Sequence, residues 1–399
     1  MKLNYLSRTP GIGGTIKTSA DDFVVEEISE EGQVYQLDTS LSIESESGKF
    51  VHFILQKKDW STSSAISEIA KRLHVGPKRF NTAGIKDKIA HTTQLASAYG
   101  LTKDQILNLN IKDIKINGAW LAKDKVRIGS LLGNRFTIKV ADSSSDQTII
   151  DKINYELNGV FPNYFGDQRF GSSRRNTHIV GHKILLGKFD EAVAHYLFDT
   201  EGEQNQAAVN ARKNLSETKN YSLALKEFPK YLRLERTIIA YLNSTPSDYL
   251  GALRKLPRNI LLLFVHAFQS YMFNYFLSQR LNSGNLELGI GEYYCSDHLG
   301  FPDASKPSDS GIIAAKLIGY DSPLSKEEEE LLSSFDLTKD NFRNKSVPEL
   351  SLKGSYRPLF CPLKDFSFNK ESSTFRFCLP SGAYATVALR EFIDNKNEE

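Results

Sequence analysis

The chain of 399 residues is organised around one stretch that is dense in functional groups, Asn81-Thr82-Ala83-Gly84-Ile85-Lys86-Asp87-Lys88-Ile89-Ala90-His91-Thr92-Thr93-Gln94. Two lysines flank Asp87, and nearby cations favour the charged form of a carboxylate. Asp87 would therefore be available as a nucleophile or base near neutral pH. The alternative is a solvated charged turn after Gly84, and the local sequence leaves both interpretations open.

The segments on either side of this stretch predict strands. Asp21 to Ile28 contains an apolar run entered by acidic turn residues. Phe50 to Gln56 is rich in β-branched and aromatic residues, which predicts a largely buried strand that ends at the pair Lys57-Lys58. Asn134 to Val140 has an apolar residue at every second position, as a strand covered on one face requires.

Turns and helix caps divide these strands. The residues from Ser61 to Ser64 offer N-caps for a helix that Gly76-Pro77 ends. The stretch Pro10-Gly11-Ile12-Gly13-Gly14 lacks the lysine and hydroxyl residue of a phosphate loop. It is instead predicted to be a turn that leads into a strand, Thr15-Ile16-Lys17.

The later part of the chain changes character. Residues 178 to 282 are dominated by helical periodicity, whereas Thr374 to Leu379 alternates like a strand and Tyr384 to Ile393 resumes a helical spacing. This order implies one domain interrupted by another. Asn259 to Gln279 carries no charged residue over a length that could span a bilayer, but its Asn, Gln, Ser and His residues favour a buried core helix.

The net charge of +2 conceals an uneven distribution. Residues 1–48 hold 3 Lys and Arg against 9 Asp and Glu, whereas residues 49–139 hold 17 against 6. A basic block of this size favours a polyanionic partner, most simply nucleic acid, because clustered cations release counterions from phosphates. The alternative is a set of lysines scattered over one solvated surface.

Cysteine and histidine positions predict neither a disulfide framework nor a metal site. The cysteines Cys295, Cys361 and Cys378 show no C-x-x-C spacing, so a reducing cytoplasm is the natural compartment. The N-terminus shows no signal or transit peptide pattern. His178 and His182 have the i, i+4 spacing of metal ligands on a helix, but no carboxylate or cysteine set completes a site, which favours a structural role.

These residues resemble the TruD-like family of tRNA pseudouridine synthases over nearly the whole chain. Ala83 to Gln94 is similar to the family signature A-G-x-K-D-K-x-A-x-T-x-Q, whose aspartate is catalytic and corresponds to Asp87. Asp22-Phe23-Val24-Val25 resembles the motif whose phenylalanine lines the target uridine site. Gly133-Asn134-Arg135-Phe136-Thr137 resembles G-N-x-F-T, whose asparagine contacts substrate. Gly159 to Gly171 is similar to the motif at the junction with the family-specific insertion.

A late block carries the same resemblance. Leu379 to Thr386 with Arg390-Glu391 is similar to L-P-x-G-x-[FY]-A-T and its R-E. Bacterial members carry Phe where this chain carries Tyr384, a ring that can still stack. Ala20 stands where the family often has the proline of P-E-D-F, which bears on loop rigidity more than on chemistry.

The resemblance implies an α/β (α+β) fold. The pseudouridine synthase catalytic domain, with a mixed, mainly antiparallel sheet, would comprise residues 1–158 and 360–399. A largely helical insertion (TRUD) domain would comprise residues 159–359. The insertion is longer than in bacterial members and closer to archaeal or eukaryotic ones.

The resemblance also implies the reaction, in which a uridine in tRNA, at position 13 in the family, becomes pseudouridine without cofactor or metal. Asp87 would attack C1′ or remove a 2′ proton, and the sequence does not choose between these routes. Lys17, Lys86 and Lys88 are candidates for keeping Asp87 charged. Phe23, Asn134 and Tyr384, with Lys17 and Lys86, would form the substrate site. No membrane or obligatory protein partner is implied, and the expected location is cytoplasmic.

Two rival functions use the same residues. In a catalytically silent RNA-binding protein or RNA chaperone, Asp87 would merely pair with neighbouring lysines, and the basic block would serve equally well. A phosphate-transfer enzyme that uses Gly84 to Asp87 is disfavoured, because a second phosphate-binding glycine and a Ser or Thr are missing.

Overall fold

The computed structural model of the chain describes residues 3–44, 47–171, 173–394 and 396. Its strands are β1 (Phe23–Ile28), β2 (Phe50–Lys58), β3 (Phe80–Thr82), β4 (His91–Tyr99), β5 (Ile114–Ala122), β6 (Gly133–Lys139), β7 (Val160–Pro162), β8 (Tyr293–His298), β9 (Phe301–Ser308), β10 (Ile312–Leu317), β11 (Ser355–Pro358), β12 (Phe360–Pro362), β13 (Lys364–Asn369) and β14 (Thr374–Pro380). Its helices are α1 (Thr62–Arg72), α2 (Lys103–Leu107), α3 (Gln147–Leu157), α4 (Thr177–Leu185), α5 (Phe189–Phe198), α6 (Gln206–Thr218), α7 (Tyr221–Glu227), α8 (Arg233–Ser244), α9 (Tyr249–Leu253), α10 (Arg258–Ser283), α11 (Lys326–Ser334) and α12 (Ala385–Ile393).

The largest sheet has eight strands in the order β13-β14-β6-β1-β4-β2-β5, with β3 paired to β4. The pair β1 and β4 is parallel, and the other pairs are antiparallel. The predicted α/β (α+β) fold with a mixed, mainly antiparallel sheet is therefore confirmed. Strands from both ends of the chain meet in this sheet, since β14 lies beside β6 and β6 beside β1.

The chain divides into two compact units. The sheet unit comprises Tyr5–Asn163, Asp297–Asp303 and Phe360–Glu399. The helical unit comprises Met1–Asn4, Tyr164–Ser296 and Ala304–Leu359. The helical unit interrupts the sheet unit, as the order of sequence patterns predicted.

The core of the helical unit is built on α10, a helix of 26 residues. Phe264, Val265 and Phe268 of α10 are buried in a large apolar cluster. Gly181 of α4 allows the two helices to approach closely, because a Cβ atom there would lie 1.9 Å from the carbonyl oxygen of Phe264. α10 is long and apolar enough to cross a membrane, but 61% of its most apolar window is buried. The predicted core helix is thus confirmed.

Local signals placed most element ends correctly. Ser61 caps α1 by accepting from the Ser64 amide, as predicted. One detail was wrong. Thr15 forms only an isolated bridge with Ala141, and Lys17 has a left-handed φ of 61°, so no strand forms there. β2 ends at the lysine pair, as predicted, and β4 and β5 pair with it up to its last residues.

Candidate active site

The loop between β3 and β4 has its backbone fixed around Asp87. Gln94 on β4 donates from Nε2 to the carbonyl oxygen of Gly84 at 2.9 Å. The Lys86 amide donates to Thr62 Oγ1 at 3.0 Å, and the Thr62 hydroxyl donates to Gln94 Oε1 at 3.0 Å. Thr62 begins α1, and both Thr62 and Gln94 are buried. Loop, helix and strand thus form one hydrogen-bonded frame.

The Asp87 carboxylate is paired with a lysine from the N-terminal segment. Lys17 Nζ lies 2.7 Å from Asp87 Oδ2, and the two side chains are 22% and 33% exposed. A charge-assisted hydrogen bond of this length stabilises the negative charge of the carboxylate. The sequence named three candidate lysines for this role, and Lys17 is the one whose ammonium forms this ion pair.

A second lysine holds the same residue through its backbone. Lys57 is fully buried, and its Nζ donates to the carbonyl oxygen of Asp87 at 2.8 Å. Burial lowers the pKa of Lys57 to about 8; the charge of Asp87 opposes this shift and the charge of Lys86 adds to it. Because its carboxylate and its carbonyl are both bound by ammonium groups, the position of Asp87 is set from two sides.

Lys86 joins two residues of the central sheet. Its buried Nζ lies 2.9 Å from Glu27 Oε2 and also donates to Asn134 Oδ1. Glu27 and Asn134 lie directly opposite each other on β1 and β6, so both side chains leave the same face. An ammonium group can only donate, so this contact turns the amide oxygen of Asn134 toward Lys86 and leaves its NH2 as the remaining hydrogen-bonding group.

Phe23 lies directly beneath Lys17. Its ring is 2% exposed and packs edge-on against Phe136, with 6.3 Å between ring centroids. Lys17 Nζ lies 4.2 Å from the centroid of the Phe23 ring. A base could stack on Phe23 only if Lys17 left this face. Contact between Phe23 and a uracil stays a prediction, and the ring supports the lysine that pairs with Asp87.

Tyr384 comes to the same sheet from the end of the chain. β14 pairs with β6 so that Leu379 lies opposite Asn134 and Pro380 opposite Gly133. The turn after β14 leads to the half-buried Tyr384, which precedes the first residue of α12. This register, with the hydrogen bond from the Ser381 amide to the carbonyl oxygen of Leu132, places the start of that turn at the end of β6 that carries Asn134. Its part in base stacking stays a prediction.

Sequence reasoning missed Lys57 and Glu27, although strand alternation carries a signal for both. Every second residue of β2 from Val51 to Lys57 is fully buried. Glu27 has the same parity in β1 as the buried Phe23, and it is 1% exposed. A charged residue at a position that points to the buried face of a strand requires a partner of opposite charge or a hydrogen bond. Such a position therefore indicates a buried polar contact.

The histidine pair in the helical unit serves packing. The His178 ring stacks on Tyr271 with 4.7 Å between centroids, and burial lowers the pKa of His178 to about 4. His182 stacks on Phe268, and its Nε2 lies 2.8 Å from the carbonyl oxygen of Phe335. Within the described ranges, no group of three or more His, Cys, Asp or Glu side chains is placed to hold a metal ion.

The basic block at residues 49–139 lies wholly in the sheet unit. Its lysines do not all face solvent, since Lys57 and Lys86 are buried beside the Asp87 loop. A cluster near the end of α1 is exposed and is available to a polyanion, namely Lys71, Arg72, Lys78 and Arg79. The block therefore divides into an internal part that shapes the site and an external part that can meet phosphates.

Comparison with known proteins gives a consistent result. The family described as tRNA pseudouridine synthase D (TruD) matches residues 2–392. A relative from Archaeoglobus fulgidus, named "Probable tRNA pseudouridine synthase D", is 36% identical over 98% of this chain and 97% of its own length. A relative of the same name from Pyrococcus abyssi is 34% identical, with 98% of each chain covered. A crystal structure from Methanosarcina mazei, also named as TruD, matches with a TM-score of 0.76 at 31% identity, over 98% of this chain and 95% of that one.

The fold and these matches define the class of protein, which is an isomerase with a pseudouridine synthase fold and an inserted domain. The chain belongs to the tRNA pseudouridine synthase D (TruD) family.

Proposed function

We propose that this protein converts a uridine of tRNA to pseudouridine and that Asp87 is its catalytic residue. One observation carries the proposal. Asp87 is a partly exposed acid whose carboxylate and carbonyl are each bound by a lysine, at 2.7 and 2.8 Å. The names of the archaeal relatives support tRNA as the substrate, and the family resemblance implies position 13.

The proposed reaction is an isomerisation with no net change in atoms. The bond between N1 and C1′ of the uridine breaks, the uracil rotates, and a bond forms between C5 and C1′ while the C5 proton is lost and N1 gains one. Asp87 attacks C1′ or removes the 2′ proton, and both routes require an ionised carboxylate. Lys17 supports that charge from 2.7 Å.

The other predicted residues would hold the flipped base. The NH2 of Asn134, directed away from Lys86, would donate to a carbonyl oxygen of uracil. Tyr384 would stack on the base and recover part of the cost of unstacking. Lys86 and Lys17 would act by fixing Asn134 and Asp87 respectively.

We assign the chemistry to the sheet unit, as the catalytic domain predicted at residues 1–158 and 360–399. We assign the helical unit to the insertion (TRUD) domain predicted at residues 159–359, with a role in selecting the RNA. The three cysteines are buried and none is in a disulfide bond, which fits a reducing compartment such as the cytoplasm.

The direct test is Asp87→Asn, which keeps the shape of the side chain and removes its charge. We expect the single-turnover rate of pseudouridine formation in transcribed tRNA to fall on the order of 10⁴-fold, the upper range for loss of an acid–base group. Binding of tRNA and the melting temperature should stay close to those of the unchanged protein. Substantial activity in the variant, with binding intact, would refute the role of Asp87.

A further inference from the structure

The two most exposed large hydrophobic side chains among the described residues lie on the loop that carries Asp87 and on a loop hydrogen-bonded to it. Ile85 is 89% exposed and Ile128 is 94% exposed. Their loops adjoin, because the Gly129 amide donates to the carbonyl oxygen of Ala83 at 2.8 Å. Isolated exposed hydrophobic residues are common on protein surfaces. Two of them on hydrogen-bonded loops at a candidate active site are instead typical of a binding surface.

The loop that carries Ile128 is held in a tight turn. The Ser130 amide donates to the carbonyl oxygen of Arg127 at 3.1 Å, and the Ser130 hydroxyl donates to the same oxygen at 2.7 Å. On the other side, the amide of the buried Val126 donates to Ser97 Oγ at 3.0 Å. Ile128 therefore projects from a fixed backbone and not from a loose tip.

The backbone around Ile85 is fixed as well. The preceding carbonyl, on Gly84, and the following amide, on Lys86, are both hydrogen-bonded within the frame described above. An exposed isoleucine lacks the favourable free energy that burial of its side chain would provide. Because the loop is already ordered, a ligand that covers the side chain regains this free energy at little entropic cost.

Charge on the same loops indicates what covers these side chains. Lys88, Lys125 and Arg127 are all exposed. A second copy of the chain would bring like charges together, whereas RNA would bring phosphates to the cations and bases to the isoleucines. Nucleic-acid-binding proteins insert apolar side chains between bases in this way, and enzymes that act on a base must take it out of its stack.

We propose that Ile85 and Ile128 form an apolar wedge that packs against the bases flanking the target uridine and fills the place the uridine leaves. This inference rests on the proposed function and names how the substrate is opened. Ile89, two residues after Asp87 in the sequence, is also exposed, at 53%.

The test compares an RNA in which the uridine must be unstacked with one in which it need not be. The variants are Ile85→Ala, Ile128→Ala and the double substitution, and Leu107→Ala, at a 45% exposed position on α2, is the matched control. The two substrates are a transcribed tRNA and the same tRNA with abasic sites on both sides of the modified uridine. Single-turnover rates are measured on each.

We expect the double variant to be slower by about tenfold or more on the intact tRNA, since unstacking costs a few kcal/mol. On the abasic RNA its rate should lie within about twofold of the unchanged protein, and Leu107→Ala should match the unchanged protein on both. Fluorescence of 2-aminopurine placed beside the uridine should rise on binding to the unchanged protein and stay quenched with the double variant. The melting temperatures should not differ.

An equal loss on both RNAs, or no loss on either, would overturn the wedge. So would sedimentation that showed a dimer for the unchanged protein and a monomer for the double variant, since the isoleucines would then serve self-association. If the unchanged protein modifies neither RNA, the proposed function itself fails, whatever the isoleucines do.

Discussion

Both units bury charged side chains, but they arrange them differently. In the helical unit the fully buried Arg212 donates to the carbonyl oxygens of Tyr196 and Leu197 and to Glu235 Oε1, at 3.1, 3.1 and 2.8 Å. In the sheet unit the equally buried Lys57 donates to the backbone of Asp87, whose carboxylate is one-third exposed. The first network, here called the closed network, is enclosed in the core and stabilises the fold. The second, here called the open network, ends in an acid that a ligand can reach.

Breaking the closed network should produce the largest change in stability. Arg212→Met would leave the carboxylate of Glu235 buried with its strongest partner gone. We expect the free energy of unfolding to fall by about 3–5 kcal/mol, while the rate of pseudouridine formation per folded molecule stays unchanged. Urea unfolding followed by circular dichroism measures the first quantity. A stable but inactive variant would mean that the closed network also serves the reaction.

Breaking the open network should have the opposite effects, a large loss of activity and a small change in stability. We expect Lys17→Met to lower the single-turnover rate by about 10²-fold, as for loss of one preorganised charge at a reacting group. Because the pair is partly exposed, the free energy of unfolding should change by less than about 1 kcal/mol. Lys58→Met removes a lysine from the exposed ion pair with Asp21 and serves as the control. An equal loss in both variants would point to a general charge effect.

The orientation of the Asn134 amide can be tested by a substitution that keeps its contact with Lys86. Asn134→Asp keeps an oxygen for the Lys86 ammonium and removes the NH2 donor. We expect kcat/KM to fall by about tenfold, equivalent to one lost hydrogen bond to the base, and the melting temperature to fall as well, because the new carboxylate lies opposite Glu27. If kcat/KM is unaffected, the amide does not read the substrate.

The smallest effect should appear on raising the pH. Lys57 is charged below its pKa of about 8 and neutral above it. The neutral amine makes a weaker hydrogen bond to the Asp87 carbonyl, so the rate should fall severalfold as the pH rises through 8. Asp87 and Lys86 are the charged groups that act on Lys57. Lys57→Arg stays charged and should flatten this alkaline decline, and an identical decline in the variant would assign it to another group.

The parts of the fold that local patterns determine were predictable. The alternation that begins at Asn134 gave β6, and the Ser61 cap gave the start of α1. The strand predicted at Thr15 to Lys17 does not form. The backbone of Lys17 is left-handed, and its ammonium group contacts Asp87, which lies 70 residues away in sequence. A contact between residues so far apart in sequence cannot be predicted from a local sequence pattern.

The candidate site was predictable to the same extent. Asp87 and Asn134 were named from motifs that resemble those of the family, and their roles stay predictions. The sequence did not show that Lys17, and not Lys86, pairs with the carboxylate of Asp87. That choice depends on the strand register, which places Glu27 opposite Asn134, where both side chains bind Lys86. The buried Lys57 was visible only through strand parity.

If the proposed function is right, the charge network at Asp87 isomerises uridine in RNA. The most direct measurement is the release of tritium from tRNA that carries 5-tritiated uridine, since forming the new bond at C5 expels that hydrogen. We expect the purified protein to release tritium in proportion to the pseudouridine formed. Tight binding of the same tRNA without any release would contradict the claim and would make the protein a silent RNA-binding protein.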